Sequence, residues 1–580
     1  MIPAGYRHGY NYCRLELIDL SGTVFDFLPA LQVRHVPQAV YDAQLASGCM
    51  DGTRVQILSD IDKWIKDFSM PPIFWLTGTA GSGKTAINWT VCERVDDNPN
   101  MILGGSFFCS RSASSVGQRD VLCVIPTLAV LLARQSPAFS QALARELALD
   151  PGVLHKRIAT QIKKLLYRPL LSLKVSSGPV LFVIDALDEC GGQLTTHGLP
   201  DDAETHQIVS EMLEALIDLS RSSPELPVKF MVTSRPEMHI REMLVSDSAS
   251  NKVLQLHTIN KEEVTADIRL YIGNRILKST QLRAWITDNE ADRLARLCDG
   301  LFIVATTALR YALGAGTNLT TTGLKSLFNA SHDGLTPAAM EPLDRMYYLI
   351  IEDATKVDEP SSILQLIAAL LSARMTLSVT ALADLLGRSS IELRAALSRL
   401  QAVLHIPEDD DEAGLRTLHA SFGDYLTRRA HSRIRVASSL GHEILAYACL
   451  HVMKKRLHFN VSQSRSSYEP NQTIRPSTIT LSLEYACLHW IYHVASNPES
   501  PEPEARVSEI PRQRLSFWIP NNSRHAPQSL DDKVGQVFRP RLLFWLEVMS
   551  ILGQIRRAAA MLSLATVTVC ACSLHSTIGH

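Results

Sequence analysis

One stretch decides the fold of this chain: Phe74-Trp75-Leu76-Thr77-Gly78-Thr79-Ala80-Gly81-Ser82-Gly83-Lys84-Thr85. A short apolar run, typical of a buried strand, leads into a loop of small residues, and an amphipathic segment, 86–95, follows. From Gly78 onward the spacing is G-x-x-x-x-G-K-[ST], that of a phosphate-binding loop. Glycines let backbone N–H groups surround phosphate oxygens without interference from Cβ atoms. The stretch therefore predicts a nucleotide site between a strand and a helix.

The loop predicts both the ligand and the residues that hold it. Lys84 supplies a positive charge to the outer phosphates, and the Thr85 hydroxyl can ligate Mg²⁺. The expected cofactors are ATP/ADP or GTP/GDP with Mg²⁺, and the sequence leaves the choice of base open. The predicted nucleotide-binding residues of the loop are Gly78, Thr79, Ala80, Gly81, Ser82, Gly83, Lys84 and Thr85.

Four further apolar runs predict the rest of the sheet, at residues 102–108, 180–184, 228–232 and 253–256. Helical patterns separate them, and residues 121–149 read as one or two helices. Strands of continuous apolar character that alternate with helices predict a parallel sheet covered by helices on both faces. The expected fold class is therefore an α/β P-loop NTPase.

Acidic residues follow the third predicted strand. Asp185 ends that strand, where parallel sheets bind ligands, so we expect it to hold Mg²⁺ directly or through water. Asp188 and Glu189 lie just beyond it, and either carboxylate could orient or deprotonate an attacking water. Together with Lys84, they form the predicted catalytic set.

A polar triplet ends the fourth predicted strand. Thr233, Ser234 or Arg235 could contact the terminal phosphate, because this strand ends at the same edge of the sheet as the loop and the acids. A plain strand-ending turn is the alternative.

The remainder of the chain reads as helical. Residues 362–404 predict three helices, and two short strands follow around an acidic turn, which is the outline of a winged helix. The predicted domains are a lead-in at 1–45, the NTPase domain at 46–260, a helical domain at 261–345, the winged helix at 346–432, and a C-terminal helical region at 433–580 with a loop at 497–528.

The totals exclude several classes of protein. A chain of 580 residues exceeds the size of one hydrophobic core. Its net charge of -2 gives no field that would attract nucleic acid, although arginines follow the predicted winged helix. The 11 cysteines are scattered, without a C-x-x-C pair, which favours a reducing, cytoplasmic compartment. The uncharged run 558–574 is short for a membrane span, so a packed helix or frayed tail is expected there.

Three motifs together resemble the NACHT domains of fungal NOD-like receptor proteins, within the STAND branch of P-loop NTPases: the loop Gly78–Thr85, Asp185-Ala186-Leu187-Asp188-Glu189, and Thr233-Ser234-Arg235-Pro236. Gly52-Thr53-Arg54 resembles the linker that leads into such domains. The stretch 418–426 resembles the end of their winged helix, and 485–490 the helical region beyond it.

The resemblance implies a nucleotide-operated switch: ADP holds the domains closed, ATP opens them, and opened copies self-associate. A winged-helix histidine touches the ADP phosphates in related proteins, so the resemblance assigns that role to His419, against the alternative of an ordinary core or surface histidine. One departure is Gly300-Leu301-Phe302, where relatives have Gly-x-Pro near the adenine. Two other functions are compatible with the motifs: a scaffold that keeps its nucleotide without turnover, and, less well, a small-molecule P-loop kinase.

Overall fold

The computed structural model describes residues 31, 34–44, 47–111, 116–173, 178–191, 202–222, 226, 228–245, 251–314, 341–355, 360–407, 414–431, 433–464, 479–496, 530–555 and 557–565. The first 30 residues of the expected lead-in and the predicted loop 497–528 lie outside these ranges.

Five parallel strands form the central sheet. They are β1 Ile73–Thr77, β2 Ile102–Phe108, β3 Val180–Asp185, β4 Val228–Ser234 and β5 Asn251–Gln255. Their spatial order is β2-β3-β4-β1-β5. Because β3, β4 and β1 are neighbours and run in one direction, their carboxyl ends meet at one edge, where the phosphate loop also begins.

Both faces of the sheet are covered, as its continuous apolar strands predict. Ile73 and Trp75 of β1 pack into the core on one face, whereas Phe74 and Leu76 pack into a second core on the other. Side chains alternate between faces along a strand, so a strand buried on both sides must be apolar throughout. The helices of this part are α1 Val55–Lys66, α2 Lys84–Asp96, α3 Val124–Gln135, α4 Pro137–Leu149, α5 Asp202–Ser222 and α6 Met238–Val245.

The predicted helical stretch 121–149 consists of two helices with a break between them. Ser136 separates α3 from α4, and its side chain accepts a hydrogen bond from the Phe139 N–H, while Pro137 occupies the first turn of α4. These are favourable residues for a helix start. A further helical segment, which the sequence analysis did not predict, comprises Ile158–Gln161, a π-helical stretch Ile162–Tyr167 and Arg168–Leu170.

The described residues before α1 pack on the sheet domain. The Val36 N–H donates to Thr127 Oγ1 over 3.1 Å, and the Tyr41 N–H donates to Ser106 Oγ over 3.0 Å. Val36 is buried against α3. The later part of the expected lead-in therefore contributes to the core of the sheet domain.

The rest of the described chain is helical apart from one small hairpin. β6 Leu404–His405 pairs antiparallel with β7 Arg416–Thr417. The helices are α7 Lys261–Leu277, α8 Thr280–Trp285, α9 Asp288–Leu297, α10 Phe302–Gly314, α11 Pro342–Thr355, α12 Pro360–Ser372, α13 Val379–Leu385, α14 Ser390–Ser398, α15 Ala420–Asp424, α16 Ser438–Arg456, α17 Leu481–Ala495 and α18 Leu530–Ile551. One continuous apolar core joins them.

The start of the uncharged run 558–574 is a packed helix. Ala558, Met561 and Leu564 are buried on one side of helical residues 557–565. In the ranges that the structure describes, no helix combines the length and the apolar character that crossing a bilayer requires.

Candidate functional site

The phosphate loop has a backbone that glycine alone adopts without strain. Gly81 and Gly83 have φ angles of 79° and 96°. A Cβ atom on Gly81 would lie 2.0 Å from Cγ2 of Ile303, at the start of α10. The Ile303 N–H also donates to the Gly81 carbonyl over 3.3 Å. Gly81 therefore serves two purposes, because it shapes the loop and lets α10 approach it closely.

Lys84 begins α2 and turns back over the loop. Its Nζ donates to the carbonyl oxygens of Gly78, over 2.7 Å, and Thr79, over 3.0 Å. Burial lowers the pKa of Lys84, while the carboxylates of Asp188 and Asp185 oppose that shift. An ammonium group has three donors, so one remains for a phosphate oxygen.

Asp185 is buried at the end of β3 and accepts three hydrogen bonds. The donors are the hydroxyls of Thr233 (2.6 Å) and Thr85 (2.8 Å) and the Asn88 side-chain amide (2.8 Å). Burial raises the pKa of Asp185, and the bonds from Thr233 and Thr85 oppose the rise. Asn88 was not predicted from the sequence as a site residue, although it lies one helical turn after Thr85 on α2.

Thr85 and Asp185 present the oxygen ligands that Mg²⁺ prefers. Because Thr85 donates its hydroxyl hydrogen to Asp185, the lone pairs of its oxygen remain available to a metal ion. The residues present therefore fit Mg²⁺, with Asp185 positioning the Thr85 hydroxyl.

Of the polar residues Thr233, Ser234 and Arg235 at the end of β4 and just after it, Arg235 alone lines the cavity beside the loop. Thr233 and Ser234 are fully buried. Thr233 bonds Asp185, and Ser234 accepts a 2.8 Å hydrogen bond from the Trp75 indole. Both are therefore occupied in holding the sheet edge together.

Arg235 connects two carboxylates from distant parts of the chain. Its backbone N–H donates to Asp188 Oδ1 over 2.9 Å, and its side-chain Nε lies 3.2 Å from Asp188 Oδ2. Its Nη1 donates to Asp424 Oδ2, at the end of α15, over 2.6 Å. Burial alone would lower the pKa of Arg235, but Asp424 and Asp188 outweigh it and raise the pKa. Asp424 lies in the family-like stretch 418–426 but was not singled out from the sequence.

Glu189 is less tightly held than Asp188. Its Oε2 accepts a 3.2 Å hydrogen bond from the Arg111 N–H, and the Arg111 guanidinium donates to the Asp188 carbonyl over 2.7 Å. Burial and the neighbouring Asp188 raise the pKa of Glu189 to about 7. A carboxylate with such a pKa can accept a proton near neutral pH.

His419 faces the same cavity as Lys84 and Arg235. The Ser421 N–H donates to its Nδ1 over 3.1 Å, and the Ser421 hydroxyl, itself bonded to the Tyr347 hydroxyl, lies 2.6 Å from Nδ1. Burial and the charges of Arg235 and Lys84 lower the pKa of His419 to about 3. The imidazole is therefore neutral, with its proton on Nε2.

A cavity of about 400 Å³ joins these groups. Its walls are the phosphate loop and acidic residues on one side, and α7, α10 and the stretch 402–422 on the other. Arg54, which the resemblance placed in the linker, donates from Nη2 to the Ser82 carbonyl over 2.9 Å and lies 5.0 Å over the Phe302 ring. Phe302 thus presents an aromatic ring to the cavity.

Among the described residues no group of three or more histidine, cysteine, aspartate or glutamate side chains could hold a metal ion. Cys449 and Cys487 are buried in the helical core.

The strand order, the glycine loop between β1 and α2, and the acid at the end of β3 define a nucleotide-binding, P-loop ATPase-type fold. Residues 52–235 match a family model described as nephrocystin 3, N-terminal. No curated protein matches the sequence.

Three solved structures are similar to the chain. A signal transduction ATPase with numerous domains (STAND) from Pyrococcus horikoshii, with a tetratricopeptide repeat sensor, is 12% identical with a TM-score of 0.38, over 92% of this chain and 65% of that one. The present chain thus spans less than two thirds of that protein. A Walker-type ATPase of Pyrococcus abyssi is 11% identical (TM-score 0.28; 66% of this chain, 98% of that chain). Drosophila ORC, solved bound to DNA, is 14% identical (TM-score 0.29; 66% and 97%).

Proposed function

We propose that this protein is a nucleotide-dependent signalling switch of the NACHT/STAND type. It binds Mg-ATP or Mg-GTP at the phosphate loop and hydrolyses it slowly, which controls domain opening and self-association. The observation that carries the proposal is the shared cavity, because a nucleotide there would touch the sheet edge, α10 and the stretch around His419 together. A change at the terminal phosphate would then alter contacts between these three parts.

The proposed roles follow from the contacts. Gly78–Thr85 surround the phosphates, and Lys84 adds a positive charge. Thr85, positioned by Asp185, would hold Mg²⁺, which when bound neutralises phosphate charge. Glu189, with Asp188 beside it, accepts a proton from the attacking water. Asp188 and Asp424 both bind the Arg235 guanidinium. Arg235 therefore contacts the terminal phosphate only after it releases one of these carboxylates.

The domain assignment belongs to the same proposal. The sheet domain at 46–260 is followed by a helical domain at 261–345, a winged helix at 346–432 and a C-terminal helical region at 433–580. Helices α12, α13 and α14 followed by the β6–β7 hairpin support the winged helix. We place the protein in the cytoplasm, in a pathway such as fungal innate immunity or heterokaryon incompatibility.

Nucleotide binding tests the proposal most directly. We expect the purified protein to bind ADP and a non-hydrolysable ATP or GTP analogue in calorimetry, and Lys84→Ala to bind at least about 100-fold more weakly, since it loses a charge-assisted contact. Lys63→Ala, which removes an exposed lysine of α1, is the matched control. Equal binding by Lys84→Ala and the control variant would sink the proposal. Sedimentation with ADP and with the analogue tests self-association.

A scaffold that keeps its nucleotide without hydrolysis is the second candidate. One observation favours it: Asp188 is fully engaged by Arg235, and Glu189 accepts a bond from Arg111, so neither carboxylate is free. Phosphate release separates the two functions. A switch releases phosphate at a rate that Glu189→Ala reduces, whereas a scaffold releases none above the background of Lys84→Ala.

A further inference from the structure

Arg374 carries a buried charge without an oxygen partner. It follows α12 and is 8% exposed. Within the described part of the chain, no hydrogen bond or ion pair involves its guanidinium, and its Nε is buried without an acceptor. The guanidinium lies 4.3 Å over the Tyr492 ring of α17. A ring face offsets only part of the cost of removing a charge from water, so this environment favours an anion beside the guanidinium.

The charge of Arg374 acts on three more basic side chains. Arg119 precedes α3, His489 lies on α17, and Arg557 is one of the helical residues 557–565. Burial and the Arg374 charge lower the pKa of Arg119 to about 10. They also lower the pKa of Arg557. Burial and all three arginines lower the pKa of His489. Arg119 Nε and His489 Nδ1 are also buried without partners. Two buried guanidinium donors, Nε of Arg119 and Nε of Arg374, thus lack an acceptor.

The cluster adjoins a cavity of about 210 Å³. Its lining includes Arg119, two further arginines, Arg111 and Arg416, and the residues that flank Arg374, Ala373 and Met375. The carboxylate of Asp424 also lines it, but that group is already paired with Arg235. The cavity therefore provides space for a small ligand beside the unpaired donors.

We propose that Arg119, Arg374 and Arg557 bind a small anion that carries two or more phosphate groups, and that this anion fastens the sheet domain to the C-terminal helices. Guanidinium groups match phosphate oxygens in charge and in planar geometry, and three of them require more than one negative charge for balance. Because the three arginines come from separate segments, the anion draws those segments together.

The site is connected to the nucleotide site through the backbone. The Gly191 N–H donates to the Arg119 carbonyl over 2.9 Å, and Gly191 lies two residues beyond Glu189. A ligand that fixes Arg119 therefore also restrains the chain that carries the acidic residues.

Pyrophosphate is the probe, titrated by calorimetry into protein saturated with ADP so that the phosphate loop is filled. We expect one equivalent to bind, and binding at least about tenfold weaker in Arg374→Gln and in Arg557→Gln, because each loses charged hydrogen bonds. Arg145→Gln removes an exposed arginine of α4 and is the matched control. Inorganic phosphate should bind at least about tenfold more weakly than pyrophosphate.

Lys84→Ala separates this proposal from the proposed function. The variant should still bind pyrophosphate at the arginine cluster, even if it no longer binds nucleotide at the phosphate loop. No binding to the ADP-saturated protein overturns the proposal, and so does unchanged affinity in both arginine variants. Equal affinity for inorganic phosphate contradicts a ligand with several phosphates. If circular dichroism shows that Arg374→Gln is unfolded, the half-buried Arg557→Gln decides.

Discussion

Arg235 Nη1 donates to Asp424 Oδ2 over 2.6 Å, and the same guanidinium pairs through Nε with Asp188. Arg235 follows the last residue of β4, whereas Asp424 ends α15, so one side chain joins the sheet edge to a segment 189 positions away. The pair is three-quarters buried or more, where charges attract more strongly than at the surface. This ion pair connects the sheet edge beside the cavity to the segment that carries His419.

Asp424→Asn should loosen that connection. With one charge removed, we expect ADP to dissociate about tenfold faster, because the segment that carries His419 is held less firmly. Stopped-flow displacement of a fluorescent ADP measures the rate. Asp299→Asn, which removes the exposed carboxylate paired with Lys261, is the control. If ADP dissociates equally fast from both variants, the ion pair does not hold the cavity closed.

Hydrolysis should depend on the titration of Glu189. A general base acts when deprotonated, so phosphate release should rise with pH around a midpoint of about 7. Glu189→Gln should abolish both the activity and that dependence. A rate that is independent of pH between 6 and 8, or full activity in the glutamine variant, would assign the base elsewhere.

The same pKa has a consequence for stability. A carboxyl whose pKa is raised on folding contributes stability below its unfolded pKa and loses it as pH rises through about 7. Glu189→Gln has no such loss. The melting temperature of the variant minus that of the wild type should therefore increase as the pH rises from 5 to 8. A constant difference across this range would contradict the raised pKa.

Gly81→Ala should disturb both the loop and its contact with α10. The positive φ alone costs about 1 kcal/mol or more, and the new methyl group meets Ile303. We expect a lower melting temperature and weak ADP binding. Ile303→Ala in the same background should recover part of the stability, since it removes the clash but not the backbone strain. Gly152→Ala, where a Cβ meets nothing within 4 Å, is the control.

His419 should contribute to ADP binding as a neutral donor. His419→Ala is expected to weaken ADP binding about tenfold, through loss of one hydrogen bond to a charged group. Because the pKa of His419 is about 3, its imidazole should not change charge near pH 6.5. The pH dependence of ADP affinity in that range should therefore be the same in the wild type and in His419→Ala. A titration that His419→Ala removes would show that the imidazole charges when ADP binds. The exposed His431→Ala serves as the control.

The sequence predicted the sheet well because its signals are local. Runs of mainly apolar residues stand out in β1, β2 and β4, and the loop glycines follow β1 directly. Thr85 and Asp185, both predicted as metal ligands, lie within one hydrogen bond of each other. The functional roles of these residues, the domain boundaries and the winged helix remain predictions.

Other features had no local signal. Asn88 reads as an ordinary polar helix residue until the fold places it 2.8 Å from Asp185. Arg235 was predicted to contact phosphate, but its pairing with Asp424 depends on how two separate segments pack. Arg119, Arg374 and Arg557 are scattered along the chain, and nothing in their sequence contexts marks them as neighbours.

By itself, the sequence determined that a phosphate loop follows a buried strand and that acids end a neighbouring strand, because spacing along the backbone fixes both. Only the tertiary structure decided that His419 faces the cavity beside that loop, that Arg235 is already paired with Asp188 and Asp424, and that Arg119 and Arg374 each bury a guanidinium nitrogen without an acceptor. Those relationships depend on long-range packing, in which the burial of apolar surface selects the neighbours, and the charges must then be balanced wherever that packing leaves them.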